Sequence, residues 1–95
     1  MDLAAFKESL KHAAPPAGLT PALEALWWDA KGDWGKAHHC VDSEDSKDAA
    51  RVHAYLHRME GVQANASYWY GTAGAAAFTG TLDAEWAELV DARLK

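Results

Sequence analysis

Apolar positions along this chain recur at helical spacing, in short blocks parted by glycine, proline and acidic runs. Leu3, Phe6, Leu10 and Ala14 form the first stripe and predict a short amphipathic helix over Met1–Ala14. Pro15-Pro16-Ala17-Gly18 ends it, because proline lacks a donor and restricts the residue before it. Thr20-Pro21 starts a second helix, with Thr as cap and Pro at the first helical position. Leu23, Leu26 and Ala30 carry its buried face. Trp27 flanks that face and Trp28 falls on the opposite side. Gly32 stops the helix and Asp33 caps a third, Asp33–Val41, whose inner positions are Trp34, Ala37, His38 and Val41.

The acidic run Asp42-Ser43-Glu44-Asp45-Ser46 is a loop that places negative charge at the start of a fourth helix, where the helix dipole favours it. That helix ends near Glu60. Val52, Tyr55, Leu56 and Met59 make its apolar face, with His53, His57 and Glu60 on the flank and Arg51 and Arg58 on the far side. After Gly61 a fifth helix turns Val62, Ala66, Trp69, Tyr70 and Ala73 inward. Gly71 should fray it early, since glycine costs roughly 1 kcal/mol against alanine. Gly74–Gly80 is small and flexible. Thr81 caps a last helix with Leu82, Trp86, Leu89, Val90 and Leu94 as apolar positions. No segment alternates with period two long enough for a strand. The expectation is all-α: one domain over residues 1–95, a compact bundle of about six helices.

Two segments repeat. Gly32 and Gly61 are 29 positions apart, as are Ala37 and Ala66, so each half is helix, glycine turn, helix. Trp28, Gly32, Asp33, Trp34 and Ala37 resemble the core of a tetratricopeptide repeat, and Gly61, Ala66, Tyr70 and Ala73 a second copy. Val62 and Gln63 depart from that pattern, and the period is shorter than about 34. The resemblance implies two helical hairpins, flanked here by N- and C-terminal helices that cap the open ends. The stretches GDWxxAH and HAYLHRxEG…NAxYWYxxAG also resemble a small bacterial all-helical family of unassigned function, which implies no mechanism.

Composition narrows the function. Ninety-five residues with five Trp, three Tyr and two Phe build a small core from large side chains. A formal net charge of -5 argues against nucleic acid and against anionic membranes. No apolar run reaches the ~20 residues needed to span a bilayer, and the N-terminus has no signal-peptide pattern. A single cysteine, Cys40, excludes an internal disulfide. The expected location is the cytoplasm.

Two chemistries stand out. His53 and His57, at i and i+4, project from one helix face at a spacing that suits two ligands of one metal. His38 and Glu60 could complete a site for one divalent ion such as zinc. Histidines flanking an apolar stripe are more commonly hydrogen-bonded structural groups, and without that metal no cofactor is expected. No catalytic residue is assigned. Cys40 has acidic neighbours, Asp42 and Glu44, that raise a thiol pKa, and His57 with Glu60 reads first as a helix contact. The alternative chemistry is recognition. In tetratricopeptide-like stacks the first helix of each hairpin lines a peptide-binding surface, and here those helices offer Trp28, His53, His57 and Glu60. With Arg58 and Tyr68 these form the candidate binding set. The favoured reading is an interaction module for a protein or peptide, or for a second copy of the chain. The alternative is a small metal- or ligand-binding protein, or an enzyme, with a His/Glu cluster in an inter-helix pocket.

Overall fold

A computed structural model describes all of residues 1–95. Six helices and no strand make up the fold: α1 Leu3–Ser9, α2 Pro21–Ala30, α3 Trp34–Asp42, α4 Lys47–Glu60, α5 Gln63–Ala73 and α6 Leu82–Leu94. Five starts carry a side-chain cap. The side chains of Asp2, Thr20, Asp33, Ser46 and Thr81 each accept the backbone N–H three residues on. Such caps stabilise by about 1 kcal/mol each. Val62, before α5, supplies none.

The two hairpins are α2–α3 and α4–α5. Gly32 and Gly61 sit at their turns with φ of 84° and 90°, a left-handed conformation that a side chain would strain. Helix α4 is central, packing on α2, α3, α5 and α6, while α1 lies on α6. The main core joins Phe6, Leu23, Leu26, Trp27, Val41, Val52, Tyr55, Leu56, Leu89 and Val90. Ala54, Ala66 and Tyr70 form a smaller cluster between α4 and α5. Those alanines let the two helices approach closely.

Indole N–H groups tie separate elements together. Trp27 donates to Ser9 Oγ at 3.1 Å, Trp34 to the Leu56 carbonyl at 2.8 Å, and Trp86 to the Leu26 carbonyl at 2.9 Å. Each buried ring thus keeps its polar edge satisfied.

Several expectations need correction. Helix α1 ends at Ser9, well before Pro15. Ser9 turns back to donate to the Phe6 carbonyl, and the Lys31 ammonium binds the carbonyls of Leu10 and His12 at 2.7 and 3.0 Å. A long-range cation therefore satisfies groups that another helical turn would have used. Helix α5 does not fray at Gly71 but continues to Ala73, where Gly74 at φ 69° closes it. Buried Tyr70 holds that last turn in place. Met59 and Val62, expected inside, are 38% and 37% exposed; Met59 sits beside Asp83 and Trp86 of α6 at an open cleft, and Val62 is the turn residue before α5.

Arg51 and Arg58 do not face solvent. Both bind Glu85, which is fully buried: Arg51 Nη1 reaches Oε2 at 2.7 Å and Arg58 Nη1 reaches Oε1 at 2.8 Å. The Tyr70 hydroxyl donates to Oε2 at 2.5 Å, and Arg58 also donates to the Gly80 carbonyl. Burial, then the bond to Glu85, raises the Tyr70 pKa. This network joins α4, α5, α6 and the segment before α6. No helix is long and apolar enough to cross a membrane.

Candidate metal centre

His38 on α3 and His53 and His57 on α4 converge. Each offers a ring nitrogen, and the three nitrogens lie within 4.8 Å of one another. His53 Nε2 and His38 Nε2 are 3.2 Å apart. The i, i+4 spacing on α4 stacks the His53 and His57 rings nearly parallel, with centroids 5.7 Å apart. His38 meets both edge-on, at 4.8 and 5.5 Å. Packing of α3 across α4 supplies that third ring.

Two indoles wall the cluster. Trp34, one turn before His38 on α3, stacks on it at 4.9 Å with 11° between the planes. Trp69 of α5 stacks on His53 at 4.1 Å and 12°. His53 is 2% exposed and His57 8%, while His38 is half-buried and opens the cluster to solvent.

Polar partners inside are few. His57 Nδ1 lies 3.2 Å from Glu60 Oε1. That carboxylate holds the proton on Nδ1 and leaves Nε2 with its lone pair, the usual arrangement behind a metal-binding imidazole. His53 Nδ1 is buried with no partner at all. Burial pushes the His53 pKa down to about 4, helped by the neighbouring His38 and His57 and opposed by Asp42. The ring is therefore neutral at neutral pH, the state a metal ligand requires.

The sequence candidates divide. His38, His53 and His57 come together, and Glu60 joins through His57. Arg58 is engaged with Glu85 instead. Trp28 lies in the first hairpin, its ring edge-on to Trp27 at 4.9 Å and under the Lys36 ammonium at 4.2 Å. It is a packed, half-buried side chain. Tyr68 is 66% exposed and touches the cluster only through Trp69, edge-on at 5.2 Å. The indole walls were not singled out as site residues. The shared helix face of Trp34 and His38 was the available signal, but nothing linked Trp69 to His53.

Cys40 is half-buried, and its thiol pKa is pushed up to about 11 by burial first and then by Glu24. Asp42 and Glu44, expected to cause that rise, are not its source. Comparison with family models, curated proteins and solved structures finds no match.

Proposed function

We propose that this chain is a small helical metal-ion-binding protein, with His38, His53 and His57 as ligands. The observation that carries the reading is the convergence of three imidazole nitrogens from two helices. Nitrogens at about 2.0–2.1 Å from a tetrahedral ion stand about 3.3 Å apart. The His38–His53 pair already has 3.2 Å, and the His57 nitrogen lies within 4.8 Å of both.

Three imidazole ligands suit zinc, copper or nickel, and the usual order of affinity favours copper over the rest. With three protein ligands a fourth position stays open, on the side of half-buried His38. Glu60, behind His57, sets the tautomer and stiffens the ring.

Cobalt(II) titration of the purified, metal-stripped protein tests the reading. Visible absorption saturating at one equivalent, lost in His38→Ala and His57→Ala, is the expected result. No absorption change, together with no metal-dependent melting shift with zinc, would sink it.

A second reading, an interaction surface for a protein or peptide, rests on Tyr68, a large aromatic left 66% exposed on α5. The simplest partner is a second copy of the chain. Sedimentation should then show a concentration-dependent dimer that Tyr68→Ala weakens. A strict monomer at high concentration removes that form of the reading.

A further inference from the structure

A second site lies away from the histidines. A cleft of about 580 Å³ opens between α1, the end of α2, α4 and the start of α6. Asp29 and Tyr55 line it with Trp86, Met59, Asp83 and, from α1, Lys7.

Asp29 is the unusual member. It is 8% exposed, and its Oδ2 accepts the Tyr55 hydroxyl at 2.8 Å. Its Oδ1 has no hydrogen bond within the chain and is open to the cleft. The ion pairs of the chain use Glu8, Glu85, Glu60, Asp48 and Asp91, and none reaches Asp29. A buried carboxylate normally has a cation to compensate its desolvation. The position adds a further penalty, because Asp29 lies in the last turn of α2, where the helix dipole disfavours negative charge. Burial raises its pKa, as expected of a carboxylate without a counter-ion.

The cleft also carries what a cation's organic part would need. The wall holds the Trp86 ring and the Met59 side chain, and Asp83 is a second, exposed carboxylate. The Trp86 N–H is already spent on Leu26, so the ring offers apolar surface and its π face.

We propose that this cleft binds a small organic cation, an aliphatic amine whose ammonium group is received by Asp29. Asp83 takes a second amino group where the ligand has one. The volume admits a ligand the size of a short diamine. An inorganic cation is disfavoured, since the cleft presents aromatic and thioether walls where a hard ion needs several oxygens.

The test is a titration of the full chain with 1,4-diaminobutane, followed by amide and indole chemical shifts, with 1,4-butanediol as the uncharged control. Saturable shifts confined to Asp29, Tyr55, Asp83 and Trp86, absent with the diol, are expected. Asp29→Asn keeps the Tyr55 hydrogen bond and should weaken binding about tenfold or more, as loss of a charge-assisted contact does. Asp83→Asn, on the surface, should weaken it less and cannot be confused with unfolding. His57→Ala should leave binding unchanged, which separates this cleft from the metal centre. No saturable shift at millimolar diamine, equal binding by Asp29→Asn, or equal shifts with the diol would each overturn the assignment.

Discussion

His38 Nε2 and His53 Nε2 meet at 3.2 Å, although the two residues belong to different helices. Their rings are fixed from behind by different indoles, Trp34 on one and Trp69 on the other. Neither ring can move far without unstacking. The gap between the nitrogens is therefore set by helix packing and not by side-chain chance.

A metal that fills this gap should stabilise the fold by mass action. At a free concentration one hundred times its dissociation constant the gain is about 2.7 kcal/mol. For a domain of this size that raises the melting temperature by roughly 10–20 °C. Scanning calorimetry with and without zinc measures it. His38→Ala should abolish the shift while leaving the metal-free melting point within a few degrees, because its side chain is only half-buried.

Metal-free protein should lose stability in mild acid. The His53 pKa is lowered in the fold, so its contribution is complete above the unfolded value near 6.5 and disappears as pH falls toward about 4. Each tenfold in proton affinity is worth 1.36 kcal/mol, so the loss across that window is on the order of 3 kcal/mol. Asp29 acts in the opposite sense. Its raised pKa favours the fold as pH drops through its folded value toward the unfolded one near 3.9. Urea midpoints at pH 7 and pH 4.5 should differ for wild type and much less for His53→Leu. Equal differences in both would contradict the assignment.

Glu85→Ala should destabilise by about 3–5 kcal/mol, since it strands two guanidinium groups and the Tyr70 hydroxyl in a covered site. Chemical denaturation gives the figure directly. Cobalt affinity measured on the folded fraction should be unaffected, because Glu85 has no contact with the histidines. A change in that affinity would mean the two networks are coupled.

Trp28→Ala should lower stability by about 1–3 kcal/mol through lost packing on Trp27 and the lost Lys36 contact. Tyr68→Ala should stay within about 0.5 kcal/mol, as exposed substitutions usually do. Thermal melts of the two variants distinguish a packing residue from a free one.

The hairpins were legible in sequence because their signals are local. Thr20-Pro21, Asp33 and Thr81 announce starts, the acidic run before α4 marks another, and Gly32 and Gly61 announce turns. The His53–His57 half of the site was equally plain from i, i+4 spacing. The rest depends on contacts between distant positions. Arg51 and Arg58 look like a solvated face until α6 delivers Glu85 across it. Asp29 and Tyr55 look like a helix-end acid and a core aromatic until α2 crosses α4. The early end of α1 depends on Lys31, which no local pattern connects to Leu10. In each case the deciding partner lies on another helix, and periodicity along one helix is blind to it.

The paired indoles have an optical consequence. An indole excited while stacked on a neutral imidazole keeps most of its emission, whereas a protonated or metal-bearing ring beside it draws the excited electron away. Trp34 stacks on His38 and meets His57 edge-on, Trp69 stacks on His53, and Trp27, Trp28 and Trp86 make no ring contact with the cluster. The indole emission of this chain should therefore respond to what the imidazole cluster holds, without any added dye.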